Sequence, residues 1–118
     1  MDIARIGIVG AGQMGNGIAH VMALAGYEVL LNDISAEALE AAVARIDKNI
    51  ERQVSKGSIS AGDKAAAMAR IVTTVNLPEL GQSDLVIEAA TEREEIKHKI
   101  FATLLPHLED HTILTSNT

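Results

Sequence analysis

Gly10, Gly12 and Gly15, in the run Gly10-Ala11-Gly12-Gln13-Met14-Gly15, have the spacing of a turn that brings bare backbone up against a phosphate. Gly10 permits the tight turn. Gly12 removes the side chain that would hold a pyrophosphate away, and Gly15 lets the following helix lie close to the preceding strand. The donors are the unpaired N–H groups of a helix start, which also carries the positive end of the helix dipole. Eighteen residues beyond Gly15 stands Asp33, at the end of a second apolar run. A carboxylate there can accept hydrogen bonds from both hydroxyls of an adenine ribose. A 2′-phosphate would meet like charge at Asp33, and no Lys or Arg follows until Arg45, so the pair of features predicts NAD rather than NADP. The plainer alternative for Asp33 is a cap on the next helix.

For the glycines to work they need a strand before them and a helix after them, and the chain supplies both. Ile3 to Val9 is short, rich in β-branched residues and stops at glycine, as a buried parallel strand does. Met14, Ile18, Val21, Met22 and Ala25 then draw one apolar helical face, ended by Gly26. Tyr27 to Leu31 is a second strand that runs into Asn32 and Asp33. Ser35 can cap a long helix with the stripe Leu39, Val43, Ile46, Ile50 and Val54, closed by Gly57. Ser60 and Asp63 resemble a capping pair before a second, Ala-rich helix to about Arg70. Ile71 to Thr74 reads as a strand, Asn76 to Gly81 as a loop around Pro78, and Asp84 to Glu88 as a fourth strand. A helix from Glu92 to Leu105 carries Ile96, Ile100 and Leu104 with a Glu95 to Lys99 support pair, and Thr112 opens a fifth strand. The alternation predicts an α/β fold: a Rossmann-type, doubly wound parallel sheet with a helical pair between strands two and three. A full dinucleotide-binding sheet usually has six strands, so residues 1–118 are expected to be one NAD-binding domain cut from a longer enzyme.

Composition removes several other chemistries. One Phe, one Tyr and no Trp leave nothing to stack on bases, and a formal charge of -6 disfavours a polyanionic partner, so no nucleic acid is expected. The absence of Cys excludes disulfides, thiolate nucleophiles and Cys-based metal sites and fits a reducing compartment, with the cytoplasm as default. No apolar run reaches the roughly 18 to 20 residues of a membrane span, and no signal peptide follows Met1. His107 and His111 are four apart near Asp110, but Pro106 disturbs the helix and the ligand set is incomplete, so no metal is expected.

The string GAGQMGNGIAH from Gly10 to His20, the LNDIS end of strand two, VIEAATE from Val86 to Glu92 and the final ILTSNT together resemble the bacterial L-3-hydroxyacyl-CoA dehydrogenases, the 3-hydroxybutyryl-CoA branch especially. The resemblance covers the whole chain and implies that Glu92 and Lys97 line the NAD site beyond strand four, with Asn117 beside the nicotinamide. The plainer alternatives are a first-turn acid for Glu92, a solvated pair with Glu94 for Lys97 and a polar loop residue for Asn117. In that family a Ser just after the SNT run and a later His and Glu bind and polarise the reacting oxygen. The chain ends before all three. None of His20, His98, His107 or His111 is therefore expected to be catalytic, and the fragment is expected to be inactive alone. The resemblance also implies a helical C-terminal domain that forms a homodimer, and a place in fatty acid metabolism.

Arg45, Lys48, Arg52 and Lys56 are spaced three, four and four along the long helix, opposite its apolar stripe. Like charges so arranged cost roughly 0.2 to 0.5 kcal/mol a pair, which points to an anionic partner; coenzyme A carries phosphates. The resemblance places Lys56, and Asn49 with it, at the coenzyme A moiety. The alternative is a solvated face relieved by Asp47 and Glu51. The function expected is oxidation of (S)-3-hydroxyacyl-CoA to 3-oxoacyl-CoA with hydride passing to NAD. A dehydrogenase for a non-CoA hydroxy acid and a stand-alone NAD-binding module remain as alternatives, because the glycine turn and Asp33 do not meet the substrate.

Overall fold

The computed structural model describes residues 2–91 and 93–116. Five parallel strands form one sheet in the order β3-β2-β1-β4-β5: β1 (Arg5–Val9), β2 (Glu28–Asn32), β3 (Ile71–Thr74), β4 (Leu85–Glu88) and β5 (Ile113–Ser116). The order reverses between β1 and β4, the doubly wound arrangement expected, and each strand ends within a residue of its expected end where one was set.

Side-chain alternation along each strand divides the core in two. Ile6 and Ile8, Val29 and Leu31, and Ile87 face one layer with α1 (Gln13–Leu24), α2 (Ala36–Ser55) and α3 (Ala61–Arg70). Val9 and Val86 face the other, under α4 (Glu94–Leu104) and a 3-10 segment Leu77–Gln82. The segment around Pro78, expected as a loop, is thus a short helix. Proline's missing N–H costs nothing at such a helix start.

The helical pair between β2 and β3 forms as expected. Ser35 caps α2 by accepting from the Ala38 N–H, and Gly57 leaves it at φ +79. Ser60 and Asp63 make a reciprocal capping box at the start of α3, and the Ser60 N–H holds the Asp63 carboxyl below its ordinary pKa. Arg70 at the end of α3 donates to the Ala23 carbonyl at the end of α1.

Two expectations fail. Of the face expected for α1, Ile18 and Met22 pack against the core, but Met14, Val21 and Ala25 are exposed, and the buried positions are Gly15, Asn16, Ala19 and Ala23. Small residues let α1 approach the sheet closely, and buried Asn16 is satisfied by donating to the Ala42 carbonyl of α2. A search for large apolar residues finds the flank of this face, Ile18 and Met22, and misses its centre. Glu95 pairs with Arg93 at 2.6 Å instead of with Lys99.

Candidate functional site

The C-terminal ends of β1, β2, β4 and β5 lie side by side, and the turn after β1 sits at the point where strand order reverses. This is where parallel α/β sheets leave a crevice. Gly10 leaves β1 at φ +103, and its N–H donates to the Asn32 carbonyl at 2.7 Å, tying the turn to the end of β2. A Cβ on Gly15 would overlap the carbonyl oxygen of Gly10, so the first turn of α1 is pressed against the turn itself. Gly12 is the opposite case: a Cβ there would meet nothing within 4 Å. The space in front of Gly12 is open to a ligand.

Gly12 is also the N-cap of α1. No side chain caps this helix, and its first turn holds no acid. The N–H groups and dipole of the helix start are therefore not already answered by the protein. Gln13 and Met14 are exposed beside them.

Asp33 follows β2 and bridges the two halves of the site. One carboxylate oxygen accepts the Ala11 N–H of the glycine turn at 3.0 Å, and the other accepts the Ser35 N–H at 3.0 Å. Each oxygen has a second lone pair for a ligand hydroxyl. The plain alternative, a helix cap, falls to Ser35, while Asp33 is drawn toward the turn. Next to it Ile34 is 95% exposed. Sequence reasoning passed over this residue.

Lys97 lies on α4 and is buried, 7% exposed, so it is not the solvated surface lysine of the plainer reading. Glu92 and Asn117 lie outside the described residues. Glu88, at the end of β4, was also missed as a site residue. It is fully buried, accepts the N–H groups of Ala90 and Thr91 at 2.6 and 3.0 Å, and accepts the Ser116 hydroxyl at 2.9 Å. The signal was an acid closing an apolar strand, the pattern that singled out Asp33.

Away from the crevice, Lys48, Arg52 and Lys56 line a shallow depression on α2 together with Asp47, Glu51 and Ser55. The two acids form their ion pairs outside this set. Both turn to Lys64 of α3, at 3.1 and 2.8 Å. Those contacts raise the Lys64 pKa, the Glu51 hydrogen bond most. Asn49 is half-buried and accepts a long bond from Arg52 at 3.4 Å. A separate cavity of about 710 Å³ between α2 and β3 is lined by Leu39, Val43, Thr74 and Val75 among others, and no residue of the turn belongs to it.

Among the described residues no cluster of His, Asp or Glu could hold a metal, and no helix is long and apolar enough to cross a membrane. His111 is engaged by Asp84 and Glu109 at 2.8 and 3.3 Å, at the opposite edge of the sheet from the crevice.

Residues 5–118 match the family model described as 3-hydroxyacyl-CoA dehydrogenase, NAD binding domain. A 3-hydroxybutyryl-CoA dehydrogenase of Bradyrhizobium diazoefficiens is 50% identical over 116 residues, which is 98% of this chain and 40% of that protein. A 3-hydroxyadipyl-CoA dehydrogenase of Escherichia coli is 39% identical over the whole chain, which covers 25% of its length. The crystal structure of (S)-3-hydroxybutyryl-CoA dehydrogenase from Ralstonia eutropha superposes with a TM-score of 0.95 at 40% identity, covering 99% of this chain and 41% of that one. The chain thus spans well under half of the relatives it matches, and their names agree on the 3-hydroxyacyl-CoA while differing in the acyl group.

Proposed function

Because the chain belongs to the NAD-binding domain family of the 3-hydroxyacyl-CoA dehydrogenases, we propose that it forms the cofactor half of an enzyme that oxidises an (S)-3-hydroxyacyl-CoA, of the 3-hydroxybutyryl type, to the 3-oxoacyl-CoA. NAD, when bound, supplies the hydride acceptor. The turn at Gly10, Ala11, Gly12, Gln13, Met14 and Gly15 receives the pyrophosphate through backbone N–H groups. Asp33 accepts the adenine-ribose hydroxyls, and Ile34 offers the adenine an apolar wall. Glu92, Lys97 and Asn117 serve the nicotinamide side. The role proposed for this chain is to hold NAD, with no proton-transfer role for His20, His98, His107 or His111.

The observation that carries this reading is the Asp33 carboxylate bonded to the Ala11 N–H of a turn whose Gly12 faces open space. One acidic side chain is held against a turn that is open at Gly12. That fits a dinucleotide with a free ribose diol, and a 2′-phosphate would confront the carboxylate. Calorimetry is expected to show NAD binding at least about tenfold tighter than NADP, the effect of roughly one like-charge contact. Equal or reversed affinities would remove the role of Asp33.

The depression on α2 suits the phosphates of coenzyme A. Lys48, Arg52 and Lys56 are exposed there, and the ion pairs of the neighbouring Asp47 and Glu51 go to Lys64. Asn49 stands one turn from Arg52 and Gln53 and adds a polar group to the same end of the helix.

A further inference from the structure

Glu88 is the one buried carboxylate among the described residues. A carboxylate out of water is costly unless donors surround it, and a strand end that only had to fold would be served better by an apolar residue of the same size. Here the donors are supplied, and they come from two directions. Oε2 takes the Ala90 and Thr91 N–H groups of the segment after β4; Oε1 takes the Ser116 hydroxyl at the end of β5. Thr91 immediately precedes Glu92, and Ser116 immediately precedes Asn117. The segment after β4 also touches the glycine turn, since a Cβ on Gly10 would come within 2.7 Å of the Ala90 Cα.

We propose that Glu88 is a positioning residue for the nicotinamide half of the cofactor: one buried carboxylate fixes the direction in which the chain leaves β4 toward Glu92 and Lys97, and leaves β5 toward Asn117. The proposal rests on the NAD reading given above. The two N–H groups and the hydroxyl named above all find an acceptor in this one side chain. Asp33 and the end of β2 hold the adenosine half without Glu88, so the two halves of the dinucleotide separate in their response to it.

The test is calorimetry of the 118-residue chain with NAD and, separately, with ADP, which lacks the nicotinamide. Glu88→Met keeps length and loses every acceptor. Glu88→Gln keeps a carbonyl oxygen for the two N–H groups, and its amide can donate to the Ser116 hydroxyl. Ser116→Ala cuts the β5 link alone. Relative to ADP, NAD affinity is expected to fall about tenfold in Glu88→Met and about threefold in Ser116→Ala, and to stay within about twofold in Glu88→Gln. A NAD-to-ADP ratio unchanged in Glu88→Met and Ser116→Ala overturns the proposal. So does a parallel loss of both ligands, which would make Glu88 a residue of the general fold. If Glu88→Met does not fold, Ser116→Ala decides by the same ratio. Failure of the wild-type chain to bind either ligand defeats the NAD reading and this proposal together, whereas wild-type binding with an invariant ratio defeats the proposal alone.

Discussion

Gly12 and Gly15 sit three residues apart in the same turn and should fail for different reasons. At Gly15 an added Cβ meets the Gly10 carbonyl oxygen, which is backbone and cannot rotate away. Gly15→Ala is therefore expected to cost about 2 kcal/mol or more of stability, as overpacking does. At Gly12 an added Cβ meets nothing, so Gly12→Ala should lose only the difference between a glycine and an alanine N-cap, no more than about 1 kcal/mol. It should nevertheless weaken NAD about tenfold or more, because the methyl stands where the pyrophosphate comes closest. Urea unfolding and NAD titration of both variants check the contrast; a Gly12→Ala protein that binds NAD like wild type would show that the gap is not the phosphate site. The sequence could reveal this turn because Gly10 and Gly15 are required by the backbone itself, and Gly12 between them completes the spacing. It could reveal Asp33 because an acid at the end of an apolar strand is conspicuous. Glu88 carries the same mark, and the Ala90 and Thr91 N–H groups it accepts are local, but the Ser116 hydroxyl is brought to it from 28 residues away by folding, which no spacing in the chain announces.

The elements were legible to unequal degrees, and the difference is one of size. β1, β2 and β4 are short runs of Ile, Val and Leu, and α2 shows a stripe of the same large residues, so burial and pattern coincide. α1 buries Gly, Asn and Ala, which carry little apolar signal, and the centre of its buried face was hidden for that reason. At the lower edge of the sheet the elements are joined by a contact that charge and not apolar pattern controls. Asp84 accepts the N–H groups of Ala4, just before β1, and of Arg5, its first residue, and pairs with His111 before β5. The two N–H bonds, and then the His111 contact, hold its pKa down to about 2. A carboxylate lowered in the folded state stabilises above its unfolded pKa of about 3.9 and loses that contribution as pH falls through the folded value. Asp84→Asn is thus expected to be less stable than wild type at pH 7, with the gap closing between about pH 4 and about pH 2. Urea midpoints at several pH values measure it. A gap of constant size across that window would mean that the contact does not depend on the charge.

At the scale of the whole molecule the proposed cofactor and coenzyme A contacts are separated along one element. α2 begins beside Asp33 and ends at Ser55, and its 20 residues span roughly 30 Å. Lys56 caps the far end, so a change in the basic stripe acts at a distance from the glycine turn and should leave NAD alone. This allows a clean separation of the two ligands in the complete dehydrogenase. Exposed ion pairs contribute up to about 1 kcal/mol each, so removing three cations by Lys48→Ala, Arg52→Ala and Lys56→Ala together should raise KM for the acyl-CoA by about tenfold to a hundredfold. KM for NAD should stay within about twofold, and added salt should weaken acyl-CoA binding in wild type more than in the variant. An acyl-pantetheine substrate, which has the thioester but not the nucleotide phosphates, provides the control. If the triple variant handled acyl-CoA as wild type does, or lost acyl-pantetheine to the same extent, the stripe would be a solvated face and not a phosphate contact. Asp47 and Glu51 share the depression, but their ion pairs go to Lys64, and among the described residues none joins them to Lys48, Arg52 or Lys56. Three exposed cations on α2 are thus left for an anionic ligand to engage.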